Sequence, residues 1–198
     1  MSEIDVTTWR RRAFVLEWTT LMWNVVGVAV LVIVAWRARS VALTGFGLDS
    51  LVEIGASLVV LWDLAQRDDR PRDRALRLIG RAFLLIAVYL FVQGSIALAT
   101  RHHAAHSRVG IAWTAATALV MFSLAAGKTT VGRMLANATV IAEGRVTFVD
   151  GVLATSILVG LLANTVLHWW WADPIAGFVV MFYAFREFVH VRREARSK

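Results

Sequence analysis

Residues 41–64 read VALTGFGLDSLVEIGASLVVLWDL, and this stretch decides what kind of fold the chain can adopt. Its apolar residues run on without the period-two alternation of a barrel strand. At about 1.5 Å per residue it makes a helix long enough to cross the hydrocarbon core of a bilayer, which takes about 20 residues. Near its middle sit two carboxylates, Asp49 and Glu53. Their spacing puts both on one helical face, about one turn apart. Acids at the centre of a spanning helix are costly and mark a pathway or a site.

Five further apolar stretches flank this one: Leu16 to Trp36, Leu84 to Thr100 (reaching back toward Ile79), Val109 to Ala126, Ala142 to Leu167, and Pro174 to Val191. The whole composition agrees. Of 198 residues, 58% are hydrophobic and only 18% charged, where a soluble domain averages about 45–50% and about 25%. The absence of cysteine excludes a disulfide framework and thiolate metal clusters. The expectation is an all-α membrane protein: a six-transmembrane-helix bundle over residues 16–191. Residues 1–15 form a cytoplasmic segment, and 192–198 a short basic tail. The Arg10–Arg12 cluster precedes an apolar run too long for a cleavable signal peptide and lacking a small-residue cleavage site, so the first helix is retained.

The net charge of +7 resolves into an orientation once it is mapped on six spans. Arg37, Arg39, Arg101 and Arg108 fall on one side; the rest of the 21 Lys and Arg, from Arg10 to Lys198, fall on the other. The positive-inside rule makes the rich side cytoplasmic, with both termini there, in a multi-pass cell-membrane protein. The basic balance therefore reports topology, and no aromatic-interleaved basic groove suggests a nucleic-acid partner. Trp18, Trp23, Trp36, Trp62, Trp113 and Trp169–Trp171 lie mostly near span ends, as an interfacial aromatic belt would.

The fifth stretch supplies a third buried acid, Asp150, with Glu143 seven residues earlier on the same face. Acidic faces on two helices can converge on one cation. Carboxylates facing each other need a metal ion, protons or a basic residue to neutralise them. Internal ion pairing is the competing reading, and it is weakened because no Lys or Arg falls at mid-depth in any expected span. Glu143 is the exception, since Arg145 could hold it in a surface pair.

Residues Ser40 to Ser57, with their acid-Ser-x-x-acid core Asp49-Ser50-Leu51-Val52-Glu53, resemble the second transmembrane helix of the cation diffusion facilitator (cation efflux) family. Ala142 to Asp150 and Trp171-Ala172-Asp173-Pro174 are similar to its fifth and sixth helices, and the likeness spans about residues 12–190. The resemblance implies a divalent-cation/proton antiporter, not an enzyme. Its site takes two acids from helix two and a His/Asp-x-x-x-Asp pair from helix five. Carried over, Asp49, Glu53 and Asp150 are the metal ligands, while Val146 occupies the remaining position and cannot bind metal. Glu143, Thr147 or a water could replace that ligand, and Asn24 could line the cavity. The cargo would be zinc, manganese, iron or a similar ion rather than a permanent cofactor. Zinc prefers nitrogen or sulfur among its ligands, so an oxygen-only set suits harder cations better. The family's cytoplasmic metal-binding domain is not expected after residue 191, so a homodimer would form through membrane helices. The alternative is a non-transporting accessory or scaffolding protein that retains the fold.

Other signals are weaker. His102, His103 and His106 could ligate a metal only if their loop were helical, and they read better as loop histidines. Gly127-Lys128-Thr129 looks like the end of a phosphate-binding loop, but Phe122 stands where its first glycine belongs. Gln93 reads as an interhelical hydrogen-bonding residue, and Gly45, Gly47 and Gly55 as sites of close helix packing. No Ser-His-Asp set or metalloprotease motif is present.

Overall fold

The computed structural model describes residues 3–65 and 72–194, and within them every regular element is an α-helix. Six helices follow in order: α1 (Glu3–Ala38), α2 (Val41–Ala65), α3 (Arg72–Ala99), α4 (Arg108–Met134), α5 (Ala138–Val166) and α6 (Ala172–Glu194). Among the described residues, four helical segments are long and apolar enough to cross a membrane: Thr7–Ala38, Arg81–Ala99, Arg108–Met134 and Glu143–Val166. Large apolar side chains such as Val32, Ile33, Leu85, Leu119, Val159 and Phe182 stand exposed on the outside of the bundle. That surface fits a lipid environment, where exposed apolar area carries no penalty. Arg67, Arg70, Arg196 and Lys198, which contributed to the expected orientation, lie outside the described residues, as do the side chains of Arg72, Arg74, Arg77 and Trp62.

The helices end where the sequence lets the backbone turn. Arg39, Arg101, Ala136 and His168 have φ of 48°, 52°, 50° and 57° and close α1, α3, α4 and α5 in the left-handed conformation. Ser107 and Asn137 start α4 and α5 by accepting the backbone N–H of Gly110 and Val140. Ser40 does the same for Leu43 at the start of α2, and Asp173 from the first turn of α6 accepts both the Ser40 hydroxyl and the Val41 N–H.

These contacts gather the end of α1, the start of α2 and the start of α6. The Ala105 N–H donates to the Ala38 carbonyl, and Asn164 near the end of α5 donates to the Ala104 carbonyl, which adds the α3–α4 loop. Consecutive helices therefore alternate in direction. α4 packs along α5, α3 along α6 and α1 along α2, with α1 also on α4. The apolar core is built from Leu31, Leu43, Phe46, Leu90, Ile157, Leu161, Val180 and their neighbours.

Two expected boundaries move. α1 begins at Glu3, well before Leu16, because helix propensity rather than hydropathy sets its start; it carries Arg10–Arg12, with the Arg12 guanidinium 4.5 Å from the Trp9 ring centre. α4 continues past Ala126 to Met134, because Gly127-Lys128-Thr129-Thr130 contains nothing that breaks a helix next to a packing partner. That partner is α5. A Cβ on Gly144 would lie 3.1 Å from the Thr129 backbone nitrogen and 3.3 Å from the Lys128 Cβ, so only glycine lets the two backbones approach this closely. Gly45 similarly receives Leu90, whereas among the described residues nothing lies within 4 Å of a Cβ at Gly55.

Candidate functional site

Three helices turn a polar face into the bundle. α2 presents Asp49, Glu53 and Ser57; α5 presents Glu143, Thr147 and Asp150; α1 presents Glu17, Thr20 and Asn24, and all nine are buried. Each set recurs at three- or four-residue intervals, the spacing that aligns side chains along one side of a helix. Together they form a polar track through an otherwise apolar interior.

At its centre, Glu53 adjoins Asp150 and Asn24. Asp49 has Glu53 as an acidic neighbour, and Asp150 has Glu53, Asp49 and Glu143. Glu53 and Asp150 lie side by side, and as two bare carboxylates they offer only acceptors. Asp49 Oδ1, Glu53 Oε2, both Asp150 carboxylate oxygens, Asn24 Nδ2 and Ser57 Oγ are buried without a hydrogen-bond partner among the described residues. The Tyr183 hydroxyl of α6 is likewise buried with no partner among the described residues, and Asp150 and Asp49 are among the acids around it. Among the described residues, no Lys, Arg or His forms an ion pair with Asp49, Glu53 or Asp150. Neither, among the described residues, do three His, Cys, Asp or Glu side chains stand so that they could hold a metal ion together. The sequence-predicted acids are thus brought into one chamber, two of them side by side and the third a turn away.

Toward the end of the bundle that carries Arg133 and Arg145, the track closes on a lysine. Lys128 is fully buried in α4 and donates to Glu17 Oε2 at 3.0 Å, Glu143 Oε1 at 3.3 Å and Thr147 Oγ1 at 3.1 Å. The sequence places no Lys or Arg at mid-depth in a span, and Lys128 lies toward the end of α4 yet is buried inside the bundle. Hydropathy ended the fourth span before Lys128, but the helix carries it on and three acceptors satisfy it. The structure corrects the expected pairing of Glu143, whose partner is Lys128; Arg145 is exposed. Thr147 is engaged too, accepting from Lys128 and donating to the Glu143 carbonyl. Val146 lines a cavity of about 440 Å³ with Tyr183, Arg186, Glu187 and His190.

The histidines stay apart from this chamber. Residues 102–106 are not helical, so the spacing of His102, His103 and His106 has no helical meaning. His102 Nε2 lies 3.1 Å from the Arg39 carbonyl, His103 packs on Trp170, and His106 meets His168 edge-on. Trp23 and Trp113, read as belt residues, stack on each other between α1 and α4 at 5.0 Å, and Trp23 donates to Thr117. Gln93 lines a cavity between the helix ends with Ser40, Thr44, Tyr89 and His102.

Sequence reasoning missed Glu17, Lys128 and Tyr183. For Glu17 a signal existed, since Glu17, Thr20 and Asn24 repeat the same polar stripe found on α2 and α5. Comparison with known proteins adds no identity: no family model matches the chain, and no curated protein matches it.

Proposed function

We propose that this chain is a membrane transporter of a divalent cation, of the cation-efflux type it resembles in sequence. In this reading all six helices span the bilayer and both termini face the cytoplasm of a multi-pass cell-membrane protein. Asp49, Glu53 and Asp150 hold the travelling ion, and protons compete with it for the same oxygens. Loading from the cytoplasm displaces protons; on the far side protons displace the ion, so an inward proton gradient drives export.

The observation that carries this reading is the set of buried carboxylates with unmatched oxygens at the centre of an apolar bundle. Such groups are expensive to bury and gain their compensation from a bound cation or proton. Glu53 and Asp150 form the core of the site, Asp49 is drawn in from one turn away on loading, and Asn24 and Tyr183 flank it. An all-oxygen set favours manganese or magnesium over zinc.

A second reading is a membrane accessory protein that keeps the fold without transporting. The lack, among the described residues, of three side chains poised together on a metal favours it. A metal-panel thermal-shift measurement on the purified protein separates the two. Transport predicts that one divalent ion raises Tm and that Asp49→Asn and Asp150→Asn each abolish the rise. A Tm indifferent to every metal in the panel sinks the transport reading.

A further inference from the structure

A lysine ammonium has three N–H donors, and the structure gives each of those on Lys128 an oxygen, from Glu17, Glu143 and Thr147. Two carboxylates and a hydroxyl around one ammonium make a cation cage, built by α1 and α5 and filled by a side chain from α4. Two acids meet one ammonium. Among the described residues, one cage oxygen, Glu17 Oε1, is buried with no hydrogen-bond partner. An oxygen cage of two carboxyl groups with an acceptor to spare matches a hard divalent ion better than it matches an ammonium.

The cage also stands in the way. Glu143 precedes Asp150 on the same face of α5, about 10 Å along the axis, and Glu17 precedes Asn24 in the same manner on α1. Lys128 therefore lies between the arginine-rich end of the bundle and the central acids.

We propose that Lys128 is a tethered cation that holds the Glu17–Glu143–Thr147 cage until a divalent ion displaces it, so that the cage is the first binding station on the way to Asp49, Glu53 and Asp150. The place of the cage on the route rests on the transport reading above; its capacity for a divalent ion does not. The exchange involves no covalent step: the divalent ion takes the two carboxylates, and the ammonium leaves with its charge and its protons.

The chain suits a direct test, because Lys128 has only one other lysine, Lys198, for company. Wild-type protein is exposed to an amine-modifying reagent with manganese or with choline at equal ionic strength. Modification at Lys128 is then read by mass spectrometry, with Lys198 normalising the reagent dose. Manganese is expected to raise Lys128 modification by about tenfold or more, the scale on which a buried group gains reactivity when it opens to solvent. Equal modification in manganese and choline overturns the proposal.

Bound manganese provides a second readout. Lys128→Met is expected to fill the cage at a lower manganese concentration than wild type, while Lys128→Arg and the combined Glu17→Gln, Lys128→Met, Glu143→Gln variant show no such gain. An unchanged manganese affinity in Lys128→Met also overturns the proposal. The double variant Asp49→Asn, Asp150→Asn separates the two readings. If manganese still exposes Lys128 there while wild type moves no metal, the cage stands and transport falls. If wild type transports while Lys128 stays protected, transport stands and the cage falls.

Discussion

Replacing Lys128 by methionine keeps the length and apolar stem of the side chain and removes only the charge and its three donors. Glu17 and Glu143 then stay buried in a helix bundle with no cation against them; both are at least nine-tenths buried. Removing one partner of a buried pair costs about 3–5 kcal/mol, because the remaining charge is uncompensated. At about 2–4 °C per kcal/mol for chains of 150–250 residues, Tm should fall by about 6–20 °C. Neutralising both acids in the same chain replaces a broken ion pair by a neutral polar cluster. The Glu17→Gln, Lys128→Met, Glu143→Gln variant should therefore recover most of the loss, ending within about 1–2 kcal/mol of wild type. Thermal unfolding in detergent, followed by the Trp23–Trp113 stack through near-ultraviolet circular dichroism, measures all three proteins. A Lys128→Met Tm within about 2 °C of wild type, or a triple variant no more stable than the single, would refute the reasoning.

Three further outcomes follow from the packing and the caps. Gly144→Ala places a Cβ against the Thr129 backbone and the root of Lys128 and should cost about 1–3 kcal/mol, whereas Gly55→Ala meets nothing among the described residues and should be neutral or stabilising by up to about 1 kcal/mol; Tm in the same detergent compares them. Ala136→Gly relieves a non-glycine residue at φ 50° and should stabilise by about 0.5–1 kcal/mol, read the same way. Asp173→Ala removes the acceptor of Ser40 and of the Val41 N–H at the start of α2 and should lower stability by about 1–3 kcal/mol, with hydrogen exchange rising first at the N-terminus of α2.

The parts of the fold that the sequence announces are those governed by local pattern. Helix α2 is readable because a long apolar run with two acids four residues apart has few other solutions, and Asp150 is readable for the same reason. What hydropathy cannot see is a polar residue kept inside by a partner on another helix. Lys128 follows an apolar run and marks its end on any hydropathy scale, yet the helix runs on to Met134 because Gly144 lets α5 lie against it. Glu143 needs a cation, and the choice between Arg145, two residues away, and Lys128, on another helix, is made by tertiary packing alone. Glu17 sits at the edge of its apolar stretch and gains meaning only when Lys128 is placed beside it. The likeness to cation-efflux proteins rests on α2 and on parts of α5 and α6; the lysine cage owes nothing to it.

The central claim is that Asp49, Glu53 and Asp150 carry a divalent ion across the membrane. Its most direct test is manganese flux in proteoliposomes under an imposed pH gradient, with wild type, Asp49→Asn and Asp150→Asn reconstituted at equal density. The account predicts gradient-driven manganese movement in wild type and its loss in both variants. Undiminished flux in both variants, or no flux in wild type under any gradient, would contradict it.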